Sequence, residues 1–281
     1  MSDRGTPRER RLVFGEVAEL YERVRPSYPP ALIDDVFAFA DLSTGARLLE
    51  SGAGTGKATR LVLPYLVPNG WHLTVVEPDP HMAAILSDHA AGELDSGRIE
   101  LHVTGLEQFA ASAPDGGFDL LYAAQSWHWV SAERRAALAT QLLQAGGALA
   151  LVWNVGSQPE EGLREQLDEV YARHAPGIRF QPVQSGATGT KQPLREIGRE
   201  YGAELEATGA FSPLEVVKRE WSATYDTATW TALLQTHSDH RLLEPGALAR
   251  LLEAVAEVID GLGGSIVCHY RAVALLTRRR A

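Results

Sequence analysis

Between Ala46 and Gly56 the chain reads Ala-Arg-Leu-Leu-Glu-Ser-Gly-Ala-Gly-Thr-Gly. An apolar strand ends in an acid, and three glycines follow at alternate positions. Glycine reaches backbone angles closed to other residues and leaves its backbone bare, so this run makes a strand-to-helix turn against which a ligand can lie. The spacing is G-x-G-x-G, not the G-x-G-x-x-G of a pyrophosphate-binding dinucleotide turn. Glu50, at the strand end, suits a ligand with a cationic amine better than one that presents a phosphate. A second strand, His72 to Glu77, ends in another carboxylate 21 residues after Gly56. An acid there accepts hydrogen bonds from a ribose diol. The alternative for Glu77 is an ordinary strand-end carboxylate in solvent.

The rest of the chain supplies the fold for such a turn. Strand patterns fall at 46–51, 72–77, 99–104, 118–124 and 148–153, with helical patterns near 57–67, 80–92, 105–112 and 131–144. Alternation of this kind predicts a parallel sheet with helices on both faces. Ahead of it, residues 12–39 form two short helices separated at Pro26, Pro29 and Pro30. Gly146 and Gly147 read as a helix-terminating turn before the fifth strand. Beyond Asn154 the expected order is a helix over 156–180, a polar loop over 181–193 and a helix over 194–208. A strand near 214–224, helices near 227–236 and 245–262 and a last strand over 265–276 complete the chain.

Composition excludes several classes. No run of about 18 apolar residues occurs, so no membrane span is expected. The 281-residue chain carries 26 basic and 36 acidic side chains, a net charge of −10, which argues against a nucleic-acid substrate. The single cysteine, Cys268, lies in an apolar stretch and reads as a core thiol in a reducing compartment. With no apolar leader at its start, the chain is expected to be cytoplasmic. The Arg278-Arg279-Arg280 tail reads as a solvated chain end. No i, i+4 histidine pair with a third ligand occurs, so no metal is expected.

The glycine turn resembles the first motif of class I S-adenosylmethionine-dependent methyltransferases. After the fourth strand, Gln125-Ser126-Trp127-His128-Trp129-Val130 resembles the Ser-x-His-Trp or Ala-x-His-Trp signature of small-molecule methyltransferases related to trans-aconitate methyltransferase. Tyr21, Arg25 and Tyr28 follow the Tyr-x-x-x-Arg-Pro-x-Tyr-Pro order of the same subfamily. The resemblance implies an α/β, Rossmann-like seven-stranded sheet with the last strand antiparallel, helices on both faces and an added helical lid. It divides the chain into an N-terminal helical roof over the cofactor (1–40), a cofactor-binding core (41–155) and a C-terminal part with lid insertions and the last two strands (156–281).

The same resemblance implies the site. Glu50, Ser51, Gly52, Ala53, Gly54, Gly56, Glu77, Pro78 and Gln125 would bind S-adenosylmethionine, which leaves as S-adenosylhomocysteine. Met82 would flank the adenine, or else pack in the core beside Ile85 and Leu86. Gly105, Leu106 and Glu107 stand where the family has Asp-Ala-Glu beside the adenine, so the usual carboxylate is missing. Arg25 would pair with the methionine carboxylate, or remain a surface arginine. His128 is the candidate general base, since its ordinary pKa lies near neutrality; the alternative is a backbone hydrogen bond that orders the loop. Tyr21 and Tyr28 would offer phenolic groups, and Trp127, Trp129 and His237 would face the acceptor.

No Asn/Asp-Pro-Pro-Tyr motif and no paired glutamates follow the fourth strand. Together with the acidic charge, both absences point to a small-molecule acceptor; the expected acceptor is aromatic or natural-product-like, methylated on O, N or C, and the expected state a monomer or homodimer. Two other readings stand beside this one. In one the fold serves a reaction that uses the cofactor only as scaffold; in the other it binds NAD(P) in an oxidoreductase, which the glycine spacing disfavours.

Overall fold

The computed structural model describes residues 17–156, 161–178 and 194–281. The expected loop over 181–193 and residues 1–16 lie outside them. The described residues form two units: 17–26, 155–156, 161–178 and 220–271 make the first, and 27–154, 194–219 and 272–281 the second.

The second unit contains the expected alternation. Helix α2 (Pro30–Ala40) leads into β1 (Arg47–Ser51), α3 (Thr59–Asn69), β2 (His72–Val76), α4 (Pro80–His89), α5 (Ala91–Asp95), β3 (Ile99–His102) and α6 (Leu106–Ala110). Then follow β4 (Phe118–Ala124), α7 (Arg135–Leu142) and β5 (Leu143–Gly156), with α9 (Leu194–Ala207) later in the chain. The seven-stranded sheet runs β3-β2-β1-β4-β5-β7-β6, where β6 is Glu215–Asp226 and β7 is Ser265–Arg278. β1 pairs in parallel with both β2 and β4, which makes it the point where the strand order reverses. In such sheets ligands lie beyond the carboxyl ends of the strands at that point. β7 is the antiparallel member. Leu48, Leu49, Leu73, Val75, Leu120, Leu121 and Leu149 fill the sheet interior and are fully buried, as the apolar runs of a parallel sheet covered on both faces require.

Three expectations need correction. The 80–92 helix is two, α4 and α5, divided at Ala90, whose angles (φ −116°, ψ 21°) are not helical. Gly146 and Gly147 lie within β5 rather than in a turn. The reason is distant in sequence: Gly146 N–H donates to Arg279 O at 2.8 Å, and Arg279 N–H to Gly147 O at 2.8 Å. A Cβ on Gly147 would meet carbonyl oxygens of Gln144 and Phe118 at 3.0 and 3.1 Å, so the close pairing needs glycine there. The arginine tail is accordingly no solvated end. Arg278 donates to the carbonyls of Gly146 and Phe39 and lies over the Phe39 ring, and Arg279 donates to the Leu143 carbonyl.

The first unit is built from α1 (Ala18–Val24), α8 (Glu161–His174), α10 (Thr227–Gln235), α11 (Pro245–Gly261) and the distal parts of β6 and β7. Its core is aromatic and aliphatic: Leu167, Tyr171, Trp230, Leu233, Leu251, Val255 and Ile259 are almost wholly buried. Cys268 belongs to this core, where burial pushes its thiol up to about 12. It is the inert core thiol that its setting in the sequence suggests.

Candidate active site

The glycine turn adopts the backbone its residues permit. Gly52, Gly54 and Gly56 have φ of 68°, 60° and 85°, angles that disfavour any side chain. Gly52 has a second constraint, because a Cβ there would stand 2.5 Å from Ser126 Cβ. Ser126 Oγ donates to the Ser51 carbonyl, so the ends of β1 and β4 are joined at this point. A Cβ on Gly54 would meet nothing within 4 Å. Its bare backbone borders open space, as a surface that receives a ligand must.

Glu77 is held for a purpose its position alone does not require. Its Oε2 accepts the Gly54 N–H at 2.7 Å and its Oε1 the Asp79 N–H at 2.8 Å. The two backbone donors, one on each carboxylate oxygen, orient the group. It is 6% exposed, which removes the reading of a solvated strand end. Asp79 in turn caps α4 through the N–H groups of His81 and Met82 at 2.9 and 3.1 Å. Met82 is buried, as is Leu106, while Glu107 accepts the Ser131 N–H at 3.0 Å.

Glu50 differs from expectation. The β1–β4 register sets Tyr122 beside it, and Tyr122 OH donates to Oε2 at 2.8 Å. Thr59 Oγ1 donates to the same oxygen at 2.7 Å. Burial, partly offset by these two donors, pushes the Glu50 carboxyl up to about 7, and the nearby Glu77 charge adds to the rise. Glu50 is thus an interior acid that holds its proton up to about 7.

At the end of β4 the backbone is strained. Gln125 has φ 55°, one of two such non-glycine residues among those described. Its N–H donates to Val152 O at 2.9 Å and its Nε2 to Asn154 O at 3.0 Å. Its Oε1 is buried with no partner among the described residues. Left-handed strain and an orphaned acceptor together are features of a ligand-contacting position.

His128 follows in a short 3-10 turn, Trp127–Trp129. Among the described residues its buried Nδ1 has no hydrogen-bond partner, and the ring tilts against Trp129 at 4.7 Å. Burial, and then the charge of Arg135, lower His128 to about 3, so it is neutral at physiological pH. That differs from the near-neutral titration expected of an exposed ring. Arg135, itself 5% exposed, is held by Glu204 through Nε at 2.8 Å and lies over Tyr201 at 4.6 Å, which stacks on Trp153. Trp127 is fully buried and Trp129 partly exposed.

The structure brings Glu50, Ser51, Gly52, Gly54, Glu77, Gln125 and His128 into one unit, together with Tyr28. Tyr21, Arg25 and His237 belong to the other. There Arg25 donates to Thr236 Oγ1 and O at 2.7 and 2.9 Å, and His237 is 1% exposed rather than on an open face. Sequence reading missed Tyr122, Thr59, Asp79 and Arg135. Only Asp79 left a local signal, the Asp-Pro start of a helix; the others depend on pairing across the sheet or between helices.

A sheet that reverses at β1, a glycine turn open at Gly54 and a backbone-oriented acid at the end of β2 are the arrangement that the resemblance to class I S-adenosylmethionine-dependent methyltransferases implies. Residues 48–147 match the family profile described as "Methyltransferase domain". The chain is 35% identical over 175 residues to "Uncharacterized methyltransferase Rv3342" of Mycobacterium tuberculosis, covering 61% of this chain and 64% of that protein. It is 28% identical over 144 residues to "Probable S-adenosylmethionine-dependent methyltransferase CRG1" of Saccharomyces cerevisiae, covering 50% and 45% of the two. The chain thus spans less than two thirds of these relatives. Solved structures share the fold: the YcgJ protein of Bacillus subtilis (TM-score 0.53, 15% identity, 90% and 98% covered) and the [4+2]-cyclase SpnF (0.56, 18%, 99% and 98%). Among the described residues no helix is long and apolar enough to cross a membrane.

Proposed function

We propose that the chain transfers a methyl group from S-adenosylmethionine to a small-molecule acceptor. The observation that carries this reading is the Glu77 carboxylate, buried and aimed by the Gly54 and Asp79 N–H groups. The residues present fit the cofactor: the acid at the end of β2 receives the ribose diol, and the open backbone at Gly54 receives the chain that links ribose to sulfur. Gln125 Oε1, lacking a donor, receives an N–H. When bound, the cofactor supplies a methyl carbon on a cationic sulfur.

The chain's own work is positioning and exclusion of water. An attacking atom must be held about 3 Å from the methyl carbon and in line, which supplies much of the acceleration. The ring of Trp129 presents an aromatic face suited to a cationic donor. His128 is neutral across the physiological range and accepts a proton or hydrogen bond from an acceptor O–H or N–H; its low basicity suits it to holding the acceptor more than to removing a proton outright. Tyr28 offers a phenolic donor within the same unit. An aromatic or natural-product-like acceptor fits this setting.

The test is calorimetric titration with S-adenosylhomocysteine and, separately, NADH, then mass analysis of reactions with S-adenosylmethionine and an acceptor panel. Binding of the homocysteine compound alone, and a product heavier by one CH2, supports the reading. The fold also hosts a [4+2]-cyclase in SpnF, and fold does not fix reaction. A product of unchanged mass would replace methyl transfer with such a reaction.

A further inference from the structure

The turn between α10 and α11 brings together three side chains with metal-ligand chemistry. His237, Asp239 and His240 each place one donor atom within 4.8 Å of the others. The backbone makes this arrangement. His237 N–H donates to Leu234 O and Arg241 N–H to His237 O, both at 3.0 Å, and Asp239 Oδ1 accepts the His240 N–H at 2.9 Å. The two imidazoles, both almost wholly buried, meet edge-on at 5.3 Å. His240 is engaged on both sides, by Asp239 Oδ1 on Nδ1 at 2.8 Å and by Tyr171 OH on Nε2 at 2.7 Å. His237 is not: its Nε2 is buried without a partner among the described residues. Buried polar atoms are nearly always paired, and an orphan marks a partner that is missing.

We propose that His237 Nε2, Asp239 and His240 Nδ1 bind one divalent transition-metal ion of the zinc type. This goes beyond methyl transfer, and no step of that reaction runs through the ion. Two imidazoles and one carboxylate select zinc, cobalt(II) or nickel(II) over magnesium or calcium, which favour all-oxygen shells. Ligand atoms on a tetrahedral zinc ion stand roughly 3.3 Å apart, so the cluster tightens by roughly 1.5 Å at its widest. A fourth position is left for water.

The ion takes the place of the proton shared by His240 Nδ1 and Asp239. In the tautomer with its proton on Nδ1, the metal-free ring gives that proton to Asp239 while Nε2 accepts from Tyr171. With the ion on Nδ1 the proton moves to Nε2 and is given to the Tyr171 oxygen. Tyr171 then acts as the outer partner that a metal-bound imidazole keeps.

One charge opposes the ion. The Arg25 guanidinium is fixed on Thr236, the residue before His237, and its charge acts on that ring. The site is therefore weaker than a closed zinc finger, and it strengthens when the charge is removed.

The experiment titrates the untagged full-length chain with ZnCl2 by calorimetry and with CoCl2 by visible absorption. One equivalent of zinc binds, and cobalt shows the intense d–d bands of four or five ligands. Asp239→Asn and His237→Gln each weaken zinc by about tenfold or more, and Arg25→Gln tightens it. Circular dichroism checks each fold; if His237→Gln fails to fold, Asp239→Asn, which keeps size and shape, decides. Absence of stoichiometric zinc binding in the parent chain overturns the proposal, as does unchanged affinity in folded Asp239→Asn or weaker binding in folded Arg25→Gln.

Discussion

The backbone N–H of Gly54 donates to Glu77 Oε2 at 2.7 Å, tying the turn after β1 to the end of β2. Glu77→Gln sets an amide NH2 against one of two backbone N–H donors, Gly54 or Asp79. The loss of that bond lowers stability by about 1–3 kcal/mol, read by urea unfolding. Affinity for S-adenosylhomocysteine and for 5′-methylthioadenosine falls together, because both carry the ribose diol. A variant that loses only the homocysteine compound contradicts the assignment of Glu77 to the ribose.

The glycines of the turn separate strain from crowding. Gly52→Ala and Gly54→Ala both force alanine to a positive φ, at about 1–2 kcal/mol each. Gly52→Ala adds the 2.5 Å approach to Ser126 Cβ and is the more destabilising. Adding Ser126→Gly recovers part of the difference in urea unfolding. Gly54→Ala is milder in stability and harsher in cofactor affinity.

Two buried groups tilt stability against pH in opposite directions. Glu50 holds its proton up to about 7 when folded but only to 4.5 when unfolded, so the folded chain binds more protons between these values. Stability therefore falls as pH rises from 4.5 to 7, by about 3 kcal/mol for the shift considered alone. Glu50→Gln keeps an oxygen for both Thr59 and Tyr122, removes this slope and stabilises the chain at pH 8. His128 works the other way. It binds no proton in the folded chain until about 3, whereas unfolded it titrates at 6.5, so its contribution is present above 6.5 and lost as pH falls. His128→Asn flattens the acid limb. Urea unfolding of both variants from pH 4 to 9 checks the two signs.

Arg135 pairs with Glu204 inside α7–α9 packing. Arg135→Met strands the carboxylate and costs about 2–4 kcal/mol, less than for a wholly buried partner because Glu204 keeps some solvent. The double variant Arg135→Met, Glu204→Leu recovers most of that loss. In either, His128 titrates higher than in the parent by NMR, since one cause of its depression is gone.

Local signals in the sequence were enough for most of the fold. Pro29 and Pro30 mark the entry to α2, the apolar runs at 47–51 and 72–76 give β1 and β2, and the glycine turn between them names the ligand class. What stayed hidden needs partners far along the chain. The two glycines at 146 and 147 suggest a turn until Arg279 is seen to pair with them. Glu50 looks like a free anion until the register brings Tyr122 beside it. His237, Asp239 and His240 escape a search for helical i, i+4 spacing because a tight turn, not a helix, gathers them.

The chain passes between its two units five times, and three of those passages fall within strands, in β5, β6 and β7. Neither unit is therefore a stretch of gene. No single cut separates the two units, and recombination cannot exchange one as a cassette. New acceptors for a protein wired in this way must arise by substitution in place, one residue at a time.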